Sequence, residues 1–301
     1  MKSLKNYVKN CVKNYIKDCI VESIWDVEDN VENDNEEFVI DEIKQFIKDN
    51  YRNVNLKSLT FVFDKEKYIV SCDSNLRLGS GAKSLVNDLF EWDTVKGWFS
   101  CSGCDSLESL KGAPKEVGGW FDCHGCPELE SLKGAPEKVG RSFDCSGCPK
   151  LETLEGAPEY VSGTFSCAYC PKLESLQGAP EKVGGVFDCH ECPELESLQG
   201  APGYVRGHFN CSVCPKLESL EGAPETVNGH FNCSGCPKLE SLEGAPKRVG
   251  SGFYCVNCTQ LKTLKGAPKK VGDAFKCTGC PNLHSLDGIG EVGDRIISDI
   301  R

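Results

Sequence analysis

Nine Cys-x-x-Cys pairs run through this chain, from Cys101 and Cys104 to Cys277 and Cys280. Two thiols at that spacing form half of a tetrahedral zinc site, so two neighbouring pairs could surround one ion. Two features argue against it. Nine is an odd number of half-sites, and a continuous row of thiolates would accumulate buried negative charge. The alternative is structural: a free thiol packs as a small apolar group with a weak S–H donor. On that reading the first Cys of each pair fills the core, and the second satisfies backbone groups at a corner. No metal or other cofactor is then needed. Disulfides are a third reading. The first 25 residues hold no apolar run of signal or membrane length, which points to a cytoplasmic protein whose thiols stay reduced.

Other residue types that could do chemistry are sparse. Four of the five histidines, His124, His190, His208 and His230, fall at two equivalent places in the same recurring unit. His124 lies two residues after Asp122, a spacing usable for acid–base work, but no nucleophile or oxyanion donor accompanies it. His208 and His230 are equivalent in successive units. They could share a metal ion or titrate near neutral pH, yet no carboxylate is close in sequence to complete a ligand set. There is no phosphate-binding glycine loop, nucleophile triad or paired-carboxylate site. The expected protein is not an enzyme.

The elements that must position these groups follow from a 22-residue period. Phe recurs from Phe99 through Phe121 and Phe143 to Phe275, Leu from Leu107 to Leu283 and from Leu110 to Leu286, and Val from Val95 to Val271. A Gly-Ala-Pro triplet closes eight of the nine copies. Phe and the first Cys are two apart, so on a strand both point to one side, the core. The stretch from Leu110 to Val117 holds Gly112 and Pro114 and is too short and broken for a helix. The period therefore predicts a β-rich solenoid: one parallel strand per coil, with turns on the convex side.

The pattern Val-x3-Phe-x-Cys-x2-Cys-x2-Leu-x2-Leu resembles that of leucine-rich repeat proteins. Phe99 and Cys101 match the strand leucines, and Cys104 matches the position that holds Asn or Cys. The segment Gly147-Cys148-Pro149-Lys150-Leu151-Glu152-Thr153-Leu154 resembles repeats of bacterial and tailed-phage members. The resemblance covers about two-thirds of the chain. It implies partner binding on a concave strand face and, for a phage protein, action on a host factor in the host cytoplasm. One residue more than in that family separates Val from Phe, so the corner before the strand is expected to differ.

If Phe and the first Cys point inward, the residues before, after and three beyond Phe point outward. These are the positions that vary. They carry Trp98, Trp120, Asp122, His124, Asp144, Asp188, His190, His208, Asn210, His230, Asn232 and Tyr254, which we take as candidate partner-binding residues. Aromatic side chains flanked by small polar ones are common in binding hot spots. Net charge is −5 over residues 1–95 and −6 over 96–301, which disfavours nucleic acid and anionic membranes. A protein partner is expected. One local exception is the basic set Lys247, Arg248, Lys262, Lys265, Lys269, Lys270 and Lys276, opposed by Asp273, which leaves a nucleic-acid reading open beside the zinc one.

Residues 1–94 read as an α/β cap on residues 95–301. Leu4, Tyr7, Val8, Cys11, Val12, Tyr15, Ile16, Cys19 and Ile20 mark an amphipathic helix lined by Lys5, Lys9, Lys13 and Lys17. That helix is also a possible surface for homo-oligomerisation. A second helix is predicted over 36–51, and alternation predicts strands at Leu59–Phe63 and Tyr68–Cys72. Leu76 and Leu78 look like the start of a degenerate repeat. At the other end, Ile297 falls on the Phe period and Asp299 on the first Cys.

Overall fold

The computed structural model describes residues 31–64 and 67–300. The amphipathic segment 4–20 and the oligomerisation surface assigned to it lie outside the described residues. The first element is helix α1 (Val31–Asn50), five residues longer at its start than its apolar spacing predicts. Five strands follow: β1 (Tyr51–Arg52), β2 (Leu59–Asp64), β3 (Lys67–Cys72), β4 (Leu76–Leu78) and β5 (Phe90–Val95). β2 and β3 form the expected antiparallel hairpin, with Leu59 opposite Cys72. β4 pairs parallel with the first repeat strand, Leu76 opposite Phe99, so Leu76 does begin a degenerate coil. Ile43 and Ile47 of α1 are fully buried, and the Trp92 indole donates to the Tyr51 hydroxyl at 3.0 Å.

From Phe99 onward the chain is a solenoid, and each coil contributes two strands rather than the single one expected. One two-residue strand begins at Phe and the other ends at Val, as in Phe121–Asp122 and Lys138–Val139. They stack in register into two 12-stranded sheets. In the first, Phe121 lies opposite Phe143. In the second, Val117 lies opposite Val139. The corner between Val and Phe also bonds from coil to coil: Gly119 N donates to Gly97 O of the preceding coil at 2.8 Å. The coils touch closely there: a Cβ on Gly140 would lie 2.2 Å from Gly118 O. The β3 and β5 strands extend the valine sheet into the N-terminal region without a break.

The core is one column of repeated contacts. Every repeat Phe is fully buried, and successive rings stack, as Phe165 on Phe187 at 5.7 Å between centroids. Each such side chain contributes about 1.5–3 kcal/mol through burial. The thiols are part of this column. Cys126 Sγ donates to Cys101 O of the preceding coil at 3.2 Å, Cys192 to Cys167 O at 3.3 Å and Cys280 to Cys255 O at 3.2 Å. The first Cys of several pairs donates in the other direction, Cys145 to Ser166 O at 3.2 Å. Burial pushes the Cys104 thiol up to about 12 and those of Cys170 and Cys214 to about 11. They therefore stay protonated and act as donors at neutral pH.

The last coil departs from the predicted register. Phe275 pairs with Ile296, not Ile297, and Cys277 with Ser298. Ile289 replaces the Ala of the triplet in this coil, which is one residue shorter than the others. Asp299 caps it instead of stacking in it: its Oδ2 accepts from Gly279 N at 2.6 Å.

Candidate functional site

The outer side of the phenylalanine sheet holds all twelve candidate residues. Trp98 and Trp120 stack face to face at 4.7 Å and 7°, each half-buried. In-register pairing makes this stack unavoidable, because both residues precede the Phe of adjacent coils.

The residue after Phe has a second duty that its spacing did not reveal. Asp122 Oδ1 accepts from His124 N at 3.1 Å, Asp144 Oδ1 from Ser146 N at 2.9 Å, and Asp188 Oδ1 from His190 N at 3.4 Å. Asn210 and Asn232 do the same for Ser212 N and Ser234 N, at 3.2 and 3.1 Å. These are Asx turns that end the strand and start the corner. The five side chains are half-buried, so they are turn-formers as well as surface groups. Ser100 fills this place in the first coil and is itself buried.

The histidines form two kinds of site. His124 Nδ1 lies 2.7 Å from Asp122 Oδ1, and His190 Nδ1 lies 2.8 Å from Asp188 Oδ1. The hydrogen bond to Asp122 raises the pKa of His124 above the ordinary imidazole value. His208 and His230 stack at 4.6 Å, and their Nδ1 atoms accept backbone N–H groups. His230 N donates to His208 at 2.8 Å, and Gly252 N to His230 at 2.9 Å. Their Nδ1 lone pairs are thus engaged, which weakens this pair as a shared metal site. Partial burial and the neighbouring His230 lower the pKa of His208. Tyr254 folds back over this pair, its hydroxyl 3.4 Å from His230 Nδ1.

No protein-family model, no curated protein and no solved structure matches this chain.

Two further features bear on the face. The position before the second Cys is left-handed in every coil. Five copies hold Gly there, but Tyr169, Glu191, Val213 and Asn257 take φ of 56°, 53°, 57° and 58°. Tyr169 packs edge-on against His190 at 4.5 Å. A bulky residue in this conformation costs about 1–2 kcal/mol relative to Gly. The signal in the sequence is three successive copies, with Tyr169, Glu191 and Val213, that lack the Gly found at this place in five others.

The outer charges are largely paired between coils. Lys172 meets Glu152 at 2.9 Å and Lys238 meets Glu218 at 2.7 Å; Lys150 pairs with Glu128. The C-terminal lysines behave likewise: Lys247 pairs with Glu225, Lys262 with Glu240 and Lys265 with Glu243, and Lys270 with Glu291. Partnered lysines have less free charge to offer phosphates, so the basic section is a weaker nucleic-acid surface than its sequence alone suggests. Among the described residues no helix is long and apolar enough to cross a membrane.

Proposed function

We propose that this chain is a non-enzymatic interaction scaffold that binds a protein partner through the outer side of its phenylalanine sheet. The stacked Trp98–Trp120 pair carries the reading. Two half-buried indoles on a rigid sheet offer a large apolar contact whose side-chain entropy is already spent. Asp122 and His124 supply directional polar groups beside it. Outer variation against a constant interior also fits a recognition surface displayed on a repeat scaffold. Resemblance to leucine-rich repeats of tailed-phage proteins supports a host protein as the partner and inhibition as the effect.

The test is affinity capture with the full chain from the native cell, in three forms. The Trp98→Ser/Trp120→Ser variant should lose the partner. A control altered on the valine sheet, Lys182→Ser/Tyr204→Ser, should retain it. Equal capture by all three forms would remove the tryptophan face from the reading.

A further inference from the structure

Beside the tryptophan stack, parallel stacking brings three ligand-bearing side chains together. Asp122 and Asp144 are opposite one another in adjacent strands, and His124 lies in the turn two residues past the first of those strands. One ligand atom from each lies within 4.8 Å of the others, and no other three His, Cys, Asp or Glu side chains come this close among the described residues. We propose that Asp122, His124 and Asp144 bind one divalent transition-metal ion of the zinc class on the outer face.

The donor set decides the class. One imidazole nitrogen and two carboxylate oxygens suit zinc and its neighbours, whereas calcium requires six to eight oxygens. Two carboxylates also neutralise the charge of a dication, and without an ion they face each other as like charges. The carboxylates are held in place by donors on their flanks. Ser100 Oγ donates to Asp122 Oδ2 at 3.1 Å, and Ser146 Oγ donates to Asp144 Oδ1 at 2.6 Å. Such outer hydrogen bonds orient ligands in metal sites. His124 Nδ1 and Asp122 Oδ1 are 2.7 Å apart. Neighbouring ligands around a tetrahedral ion at bond lengths near 2.1 Å are separated by about 3.4 Å, so a rotation of the exposed imidazole that lengthens this contact admits it. The open side of the face leaves positions for water or for a side chain from another molecule.

The scaffold contains its own control. Asp188 and His190 repeat the Asp–His pair at 2.8 Å, but the strands beside Asp188 carry Ser166 and Asn210 in place of a second carboxylate. One coil pair thus offers three donors and the other two. This inference does not rest on the partner-binding reading, because its readout is the ion itself.

The experiment is titration of the metal-free full chain with Zn2+ by calorimetry, repeated with Co2+ and read by its visible absorption and by quenching of tryptophan fluorescence. One equivalent should bind the native chain. Asp144→Asn keeps the Asx turn and should weaken binding by about tenfold or more, as should His124→Ala. Asn210→Asp should add a second equivalent beside Asp188 and His190. Every cysteine is retained in these variants, so thiol binding would be untouched by them. No Zn2+ binding to the native chain, or undiminished binding in both weakened variants, would overturn the assignment. So would an unchanged stoichiometry in Asn210→Asp when the native site is occupied.

Discussion

The two sides of the phenylalanine sheet obey different rules. On the inner side every coil from Phe99 to Phe275 presents a buried Phe followed by a buried Cys. On the outer side of the same strands Ser100, Asp122, Ser166, Asn210, Tyr254 and Lys276 take successive turns at one position. Between the two end coils each inner side chain meets a copy of itself above and below, so the same residue answers the same packing problem from coil to coil. Most outer side chains meet solvent, buried Ser100 being an exception, and aromatic rings of one kind stack there in couples: Trp98 on Trp120, His208 on His230. Some outer positions even hold residues that strain the backbone, as Val213 does at φ 57°. Identity inside reflects packing, whereas outside the chain tolerates non-Gly residues at a left-handed φ despite their conformational cost.

The largest expected effect sharpens this contrast. Phe187→Ala removes a fully buried ring from the middle of the column and should destabilise the fold by about 3–5 kcal/mol, measured by denaturant unfolding. Each coil touches mainly its neighbours, so the loss should also appear as hydrogen exchange concentrated around the altered coil. A loss below about 1 kcal/mol would mean the column is not close-packed there. Next, Cys192→Ala deletes the S–H donor to Cys167 O and should cost about 1–3 kcal/mol. If the thiols were spectators, the alanine variant would unfold with the native chain.

An outer substitution should move stability the other way. Val213→Gly gives a φ of 57° to the residue that adopts it freely and removes a side chain that is 49% exposed. The change should stabilise the fold by about 1 kcal/mol. A destabilisation of that size would show that Val213 packs against the body of the solenoid, and would weaken the distinction between displayed and structural residues.

How much of this was legible varies with the physics behind each feature. The inward set could be read directly, because a 22-residue period of apolar residues survives any uncertainty about strand ends. The degenerate coil at Leu76 was legible from the spacing of Leu76 and Leu78, although Leu76 lies 23 residues before its partner Phe99, one off the period. The valine strand was not. Two residues are too few to show alternation, and the pairing depends on a corner whose geometry is set by contact between coils. The register of the last coil does not follow from the period, because that coil is one residue short and Ile296 rather than Ile297 takes the Phe place. At the candidate site, which residues share the face could be read from the strand period. The Asx turns of Asp122 and Asn210 could not, since an outward Asp looks the same whether or not it holds the next backbone N–H. The approach of Asp144 to His124 likewise needs parallel register, which the period suggests, and side-chain rotamers, which it does not.

The smallest expected effect tests the outer side through its histidines. His208 Nδ1 accepts from His230 N, an arrangement that requires the neutral ring. Protonation would turn that acceptor into a donor facing another donor. Partial burial and the nearby His230 accordingly hold the folded-state pKa of His208 below the ordinary value, whereas the unfolded chain titrates near 6.5. Between those two values the unfolded state binds the extra proton, so stability rises with pH through that window. The contribution is fully present above about pH 6.5 and is lost as pH falls through the lower, folded-state value. Solvent exposure keeps the effect small. His208→Asn retains an oxygen that can accept from His230 N but does not titrate. Thermal melts at about pH 5 and about pH 8 should therefore show a smaller acid-induced drop in Tm for the variant than for the native chain. An equal drop in both would place the acid sensitivity elsewhere, and would leave the His208–His230 stack as packing with no charge preference.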